Sequence, residues 1–292
     1  MKKAIFFSIL AGTVLLQAVA WAQNAVIPDA EKAAIVRTAL DYGEGYYSGA
    51  AERMERALHP DFNKVWTRIL PQTNAVMIGY STFSGLVEAT RAKLGFLEPA
   101  ARKITAEALY LNEDVACAKM TSSQFNDYLQ MIKVDGQWKI INVLWTPGPD
   151  SQIRQPLTDF NPEREKEAIV KTALDFVEGS MSGDLARVTA VLHPEVNRVV
   201  FQKLPMTGKM LVNRSRYSSL VEPLRAKLSL VVPENQRQVE VRVIDVMDGM
   251  AMVEAKTLFG FYYMQMFWFE KQWKLINMLV KINPNAPRPP QK

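Results

Sequence analysis

The residues Ala34-Ile-Val-Arg-Thr-Ala-Leu-Asp41 recur 134 positions later as Ala168-Ile-Val-Lys-Thr-Ala-Leu-Asp175. From residue 34 to residue 94, 29 of the 61 positions are identical at this offset without a gap. One inserted residue then moves the offset to 135, where Gln137-Trp-Lys-Ile-Ile-Asn142 matches Gln272-Trp-Lys-Leu-Ile-Asn277. Repetition at this spacing indicates a tandem duplication of one domain of ordinary size.

The duplication divides the 292 residues into five segments. We predict a signal peptide at 1–22, a first domain at 29–147, a linker at 148–162, a second domain at 163–283 and a tail at 284–292. Four prolines lie between Thr146 and Lys166, and four more follow Asn283. Such proline density is typical of stiff, extended segments without a core of their own.

The first 22 residues have the pattern of an export signal. A basic start, Met1-Lys2-Lys3, precedes a largely apolar run that closes on Ala20-Trp21-Ala22. A small-x-small ending predicts cleavage between Ala22 and Gln23. The alternative is an uncleaved membrane anchor, because the run is nearly long enough to span a bilayer. Cleavage is favoured since polar sequence follows the motif, and we expect a soluble protein in the periplasm or secreted, without membrane contact.

Composition excludes several classes of protein. With 48% hydrophobic and 22% charged residues, the chain is of ordinary globular type. Without Lys2 and Lys3, 33 basic side chains remain against 30 acidic ones, too small a surplus to indicate nucleic-acid binding. A single cysteine, Cys117, excludes a disulfide framework within the chain and any zinc site built on several cysteines.

Each copy begins with helix-type periodicity and ends with strand-type alternation. In copy one we predict helices at 29–48, at 50–58 and from residue 81, and strands at 104–111, 116–122, 125–134 and 138–145. Asp29 is a candidate helix cap, and Asp135-Gly136 a candidate hairpin turn. Copy two has Glu270-Lys271 at that turn, which predicts a different turn type. Helices grouped ahead of strands indicate an α+β layer architecture.

Two motifs carry a family resemblance. They are Ala57-Leu-His-Pro-Asp61 and Phe125-Asn-Asp-Tyr-Leu-Gln-Met-Ile-Lys-Val-Asp-Gly-Gln-Trp-Lys-Ile-Ile-Asn142, with counterparts at 192–195 and 263–277. Each copy resembles an NTF2-like domain, specifically the bacterial branch named "putative lumazine-binding". The resemblance implies two tandem cone-shaped domains, each with N-terminal helices packed on a curved antiparallel sheet around a cavity.

Residues 259–269 are apolar on both alternating faces. A strand with one face in water alternates with polar residues, so both faces of this strand should be buried. Relatives of the family often dimerise through the outer face of the sheet. We therefore expect the two copies to pack sheet against sheet as an intrachain pseudo-dimer. The sequence does not decide whether this unit assembles into a higher oligomer. The alternative is a strand covered by its own domain alone.

Aromatic side chains are the main candidates for a ligand pocket. Six residues fall on elements that should border the cones: Tyr46, Tyr47, Trp66, Tyr128, Trp145 and Tyr263. Aromatic walls with few polar groups suit a small apolar or heteroaromatic ligand. The alternative is that these residues are simply core. Tyr128 and Tyr263 occupy one equivalent position and are the first choice for a pocket hydroxyl.

His59 and His193 also share one position, and imidazole titrates near neutrality. Each is a candidate pocket residue. The alternative is a ring that bonds the last free carbonyls of the preceding helix. Neither has a second histidine or a carboxylate cluster at ligand spacing, so we predict no metal site and no cofactor.

Acid–base chemistry would need a carboxylate inside a cone. Asp41 and Glu88 point away from the apolar helix faces and are expected to be solvated. Asp127 is the best remaining candidate, with Tyr262 at the equivalent position of copy two, but its neighbour Tyr128 faces the other side of the sheet.

The sequence therefore favours an exported, non-catalytic small-molecule-binding or scaffold protein. An isomerase or lyase acting in the first copy is the second hypothesis. A protein-interaction module that uses the exposed sheet of one copy is the third.

Overall fold

The computed structural model describes residues 26–70, 72–73, 75–154, 157, 160–204, 206–228 and 231–286. The predicted signal peptide and the end of the predicted tail lie outside these residues. No helix in the described part of the chain is long and apolar enough to cross a membrane.

Both copies have the same order of elements. In copy one the helices are α1 (Asp29–Ser48), α2 (Ala51–Ala57), α3 (Phe83–Arg91) and α4 (Pro99–Arg102), and the strands are β1 (Leu58–Ile69), β2 (Val76–Thr82), β3 (Thr105–Asn112), β4 (Val115–Thr121), β5 (Phe125–Val134) and β6 (Gln137–Pro147). In copy two the helices are α5 (Pro162–Ser182), α6 (Leu185–Val191) and α7 (Tyr217–Arg225), and the strands are β7 (Leu192–Lys203), β8 (Met210–Arg216), β9 (Val239–Met247), β10 (Met250–Thr257), β11 (Gly260–Phe269) and β12 (Gln272–Ile282). A short 3-10 turn at Glu234–Gln236 precedes β9.

Each copy folds as helices over one six-stranded sheet, which confirms the predicted α+β class. The strand orders are β2-β1-β6-β5-β4-β3 and β8-β7-β12-β11-β10-β9. Each sheet contains one parallel pairing, β1 with β6 and β7 with β12, so the sheets are mixed and not wholly antiparallel as predicted.

Strands β1 and β2 were not predicted. Leu58-His-Pro-Asp61 has the composition of a helix end, yet it opens a strand directly after α2. The register between β1 and β6 shifts between Leu58 and Asn63, so Pro60 lies in the interrupted part of the ladder. A proline, which has no N–H to donate, is tolerated in a strand at such a place.

The cap of the first helix and the last hairpin turn of copy two also differ from the predictions. Asp29 is the first residue of α1, and the capping position is held by Pro28 without a side-chain hydrogen bond. The turn at Glu270-Lys271 has positive φ at both residues (47° and 63°), as does Asp135-Gly136 (49° and 79°). The hairpin therefore keeps one backbone conformation in both copies, and the predicted change of turn type is wrong.

A third hydrophobic core joins the two sheets. It combines buried residues of both copies, among them Val65, Cys117, Leu144, Val199 and Ile276. The two faces of β11 separate as their alternation predicts: Phe261, Tyr263, Phe267 and Phe269 border this inter-sheet core, and Tyr262, Met264, Met266 and Trp268 border the core under the copy-two helices. The arrangement fits the predicted pairing of the copies within the chain.

Buried amides cross the inter-sheet core. Asn142 donates to Gln130 (Nδ2 to Oε1, 2.9 Å), and Asn277 donates to Gln265 in the same way (2.8 Å). Asn197 Nδ2 donates to Asn142 Oδ1 across the copies at 3.0 Å. Because a buried amide without a partner is costly, this network favours one register between the two sheets.

Candidate functional site

Copy one holds a cavity of about 480 Å³ between its helices and the inner face of its sheet. Four of the predicted pocket residues line it together: Tyr46, Tyr47, Trp66 and Trp145. Helix α1 supplies the two tyrosines, and β1 and β6, which pair in parallel at Trp66 and Trp145, supply the two tryptophans. Phe125 completes the aromatic wall, with its ring stacked on that of Tyr47 at a centroid distance of 5.0 Å.

One ammonium group provides the charge of this cavity. Lys64, on β1, lines the cavity, and its Nζ donates to the hydroxyl of Tyr42 at 2.6 Å. The same Nζ lies 5.3 to 5.6 Å from the ring centroids of Tyr42, Phe125 and Trp145, within the range of cation–π attraction. The cation is therefore held in an aromatic cage.

The carboxylate of Asp127 lies behind this cage. It is fully buried, and its Oδ1 is 3.5 Å from Lys64 Nζ. Burial raises the pKa of Asp127 to about 6, against the pull of the Lys64 charge in the opposite direction. Burial likewise lowers the pKa of Lys64, and the Asp127 charge raises it. Asp127 thus acts as counter-charge to Lys64 and is not itself part of the cavity wall.

Two glycines make room for the wall. Gly79 on β2 pairs with Trp66, and a Cβ on Gly79 would lie 1.8 Å from the Trp66 indole. A Cβ on Gly95 would lie 2.0 Å from the ring of Tyr46. Both rings therefore occupy space that a side chain at the glycine would fill.

Copy two has a smaller cavity, about 290 Å³, at the equivalent place. Lys64 is replaced by Arg198 and Asp127 by Tyr262, and both replacements line the cavity. The two tryptophans of the wall are gone, because the positions of Trp66 and Trp145 hold valines. The duplicated fold therefore carries two chemically different pockets.

The structure corrects the placement of Tyr128 and Tyr263. Both belong to the inter-sheet core and point away from the cones. Tyr128 donates its hydroxyl to Asp245 Oδ2 of copy two at 2.9 Å, and Tyr263 accepts from Asn112 Nδ2 of copy one at 2.7 Å. Because neighbouring residues of a strand face opposite sides, Asp127 facing the cone places Tyr128 on the outer face. These phenols bridge the two copies and line neither cavity.

The structure also moves His59 and His193 out of the pockets. Each is the second residue of a strand, and its Nδ1 accepts a hydrogen bond from the backbone N–H two residues later, at 3.0 and 3.1 Å. The ring of His193 packs against Phe267 and Phe269, with centroid distances of 5.4 Å. Burial lowers the pKa of both histidines. Each ring therefore bonds a backbone N–H that follows it in the chain. It does not bond the last carbonyls of the preceding helix, as the alternative prediction had it.

Asp41 is not solvated as predicted. It is buried beneath Arg53 and Arg56, whose Nε atoms lie 3.0 and 2.8 Å from its carboxylate oxygens. This ion-pair cluster joins α1 to α2 outside the cavity. In the described part of the chain, no group of three or more His, Cys, Asp or Glu residues could hold a metal ion.

Sequence reasoning missed Lys64 and Tyr42. Lys64 was hidden because β1 was not recognised, so its direction was unassigned. Tyr42 lies on the apolar face of α1 with Ile35 and Ala39. Its helical spacing from those two residues could have identified it.

Solved structures with detectable similarity share little sequence with this chain. An NTF2-like protein of unknown function from Silicibacter pomeroyi is 13% identical, with a TM-score of 0.34, over 39% of this chain and 93% of that one. One from Shewanella baltica is 13% identical, with a TM-score of 0.35, over 44% and 100%. A ketosteroid isomerase-like protein from Erwinia carotovora atroseptica is 12% identical, with a TM-score of 0.29, over 41% and 97%. No curated protein matches the chain.

The family comparison covers most of the sequence. The model of the family described as "Putative lumazine-binding" matches residues 30–146 and again residues 164–279. These ranges coincide with the two helix-and-sheet units described above. The chain therefore belongs to this family and contains its domain twice in tandem.

Proposed function

We propose that the copy-one cavity binds a small planar heteroaromatic molecule, and that the chain works as an exported binding protein without catalysis. The observation that carries the proposal is the aromatic cage around Lys64, with its counter-charge Asp127 buried behind it. The walls suit stacking with a flat ring system, and the ammonium suits a ring carbonyl at the edge of the ligand.

The family description supports a ligand of this kind. Lumazine is a fused heteroaromatic dione, so it offers both a flat face and carbonyl acceptors. A cavity of about 480 Å³ falls within the range of small-molecule sites. Export is supported by the basic start, the apolar run and the Ala-Trp-Ala motif of the first 22 residues.

Calorimetric titration of the full chain with lumazine tests this proposal. Trp145→Val installs the residue that copy two carries at this position, Val280, and should weaken binding about tenfold through the lost stacking surface. The double variant Lys64→Met with Asp127→Leu removes the ion pair together and should also weaken binding about tenfold or more. Val280→Ala is the matched control in copy two and should leave the affinity unchanged. Equal affinity in all four proteins, or no heat of binding in the wild type, would contradict the proposal.

An isomerase or lyase acting through Asp127 is the second candidate. It is favoured by the pKa of Asp127, about 6, because a general base works best with a pKa near the working pH. Against it, the carboxylate is fully buried behind Lys64 and Tyr42 and does not border the cavity. Deuterium uptake by an enolisable ketone, followed by NMR, tests this candidate. Catalysis requires uptake that rises with an apparent pKa near 6 and disappears in Asp127→Asn.

The third hypothesis was an interaction module that uses an exposed sheet face. The structure does not leave that face exposed. The outer faces of both sheets form the inter-sheet core, so each copy occupies the face of the other. The pairing of the copies instead supports a scaffold that holds two pockets in one chain.

A further inference from the structure

The copy-two cavity has an apolar body and one charged group. Its apolar walls come from α5 and α7: Phe176, Val177, Leu220, Pro223 and Leu224. Arg198, Tyr262 and the hydroxyls of Ser180 and Ser219 are its polar side chains. A cavity of about 290 Å³ admits a molecule of roughly the size of a substituted benzene ring.

Among the residues that the structure describes, no carboxylate forms an ion pair with the guanidinium of Arg198. In copy one the equivalent cation, Lys64, faces Asp127, but in copy two the position of Asp127 holds Tyr262. Within the described residues Arg198 donates from Nη2 to Ser215 Oγ at 3.2 Å, and its buried Nε has no hydrogen-bond partner. Burial lowers the pKa of Arg198, with the nearby Tyr262 hydroxyl acting the other way. A guanidinium carries five N–H donors, and the one at Nε is left without an acceptor here.

A partly buried cation without an anion loses part of its hydration uncompensated, and an anionic ligand in the cavity would offset that loss. The planar guanidinium matches a planar carboxylate in bidentate geometry. Phosphate would bring up to two charges and two further oxygens against walls that offer mainly carbon. The apolar side chains instead suit the hydrocarbon part of an organic acid.

We propose that the copy-two cavity is a second ligand site, which takes a small organic carboxylate with an apolar body. The carboxylate binds Arg198, with the Tyr262 hydroxyl beside it, and the body of the ligand packs on Phe176, Leu220 and Leu224. This site is separate from the copy-one pocket and does not depend on the ligand proposed for it.

Fluorine NMR of the full chain with 4-fluorobenzoate tests the proposal, because binding broadens and shifts the fluorine signal. We expect saturable binding in the wild type. Arg198→Gln removes the charge and should weaken binding at least tenfold. Trp145→Val, the variant that weakens the copy-one pocket, should bind 4-fluorobenzoate with unchanged affinity. Weakened lumazine binding with unchanged fluorobenzoate binding in this variant would thus separate the two sites.

Two neutral or inorganic probes complete the test. 4-Fluorobenzamide has the same shape without the charge and should bind at least tenfold more weakly than the acid. Inorganic phosphate should fail to displace 4-fluorobenzoate at equal concentration. The proposal is overturned by absent binding in the wild type, by equal affinity in Arg198→Gln, by equal affinity for the amide, or by displacement with phosphate. Thermal unfolding of the ligand-free Arg198→Gln variant shows whether it is folded, and a melting temperature at or above the wild-type value is expected.

Discussion

The pockets of copy one and copy two occupy the same place in the same fold but differ in wall and in charge. Copy one has two tryptophans and a cation with a buried counter-charge, whereas copy two has valines and a cation that pairs with no carboxylate in the described part of the chain. Trp66 and the glycine beneath it, Gly79, have changed together, to Val200 and Asn213. The duplication has kept the sheet and the inter-sheet face, and has varied the side chains that would meet a ligand.

The largest expected difference between the copies is in how stability depends on pH when Asp127, or Tyr262 at the equivalent position of copy two, is replaced. Asp127 keeps its proton to a higher pH in the folded chain, because its pKa rises from the ordinary 3.8 to about 6. The stabilisation from the protonated form is fully present below pH 4 and is lost as pH rises through 6. Asp127→Asn removes this titration, so the free energy of unfolding of the variant relative to the wild type should rise by about 3 kcal/mol between pH 4 and pH 7.

Urea unfolding of the wild type and Asp127→Asn from pH 4 to pH 7 measures this difference. Tyr262→Phe is the matched change in copy two and should shift stability by the same small amount at every pH. A constant gap between wild type and Asp127→Asn would show that Asp127 does not titrate in this range.

A smaller effect is expected from the space beneath Trp66. Gly79→Asn installs the copy-two residue, and its Cβ would meet the indole at 1.8 Å. Overpacking of this kind should lower the free energy of unfolding by about 2 kcal/mol. Trp66→Val in the same chain should restore most of the loss, because copy two combines Asn213 with Val200. Chemical denaturation of the two single variants and the double variant measures the coupling, and simple additivity would contradict the explanation.

The smallest effect concerns the hydroxyl of Tyr47. It shares a 2.7 Å hydrogen bond with the buried Ser122 Oγ, whereas copy two has Met181 at the position of Tyr47. Tyr47→Phe should lower the free energy of unfolding by about 1 kcal/mol and leave the shape of the pocket intact. Equal stability of wild type and variant in urea would show that Ser122 finds sufficient partners in the backbone of Phe125, with which it also bonds.

Much of this fold follows from sequence patterns. The internal repeat gave the two copies, and the alternation in residues 261–269 separated the inter-sheet face from the cone, whereas Phe259 packs against the core under the copy-two helices. Helical spacing placed Tyr46 and Tyr47 at the cavity. The first two strands of each copy could not be recognised, because a proline and charged residues open β1 and the parallel partner β6 is about 80 residues away. A long-range pairing of this kind leaves no local signal.

The site was harder to predict than the fold. Tyr128 and Asp127 are neighbours on β5 and face opposite sides of the sheet. An error of one residue in assigning the faces therefore places an interface residue in the pocket. Both faces of that strand are buried, and composition alone does not decide between them. The pairing of Asp127 with Lys64 joins positions 63 residues apart. It depends on the position of β1 beside β6, which the sequence pattern did not predict.

The inter-sheet core has a consequence for stoichiometry. Since the two copies are covalently linked and their outer sheet faces are mutually occupied, dilution does not separate them. Every molecule therefore presents one pocket of each kind, in a one-to-one ratio that does not vary with expression level. Two separately encoded subunits would have to reach that ratio by mass action.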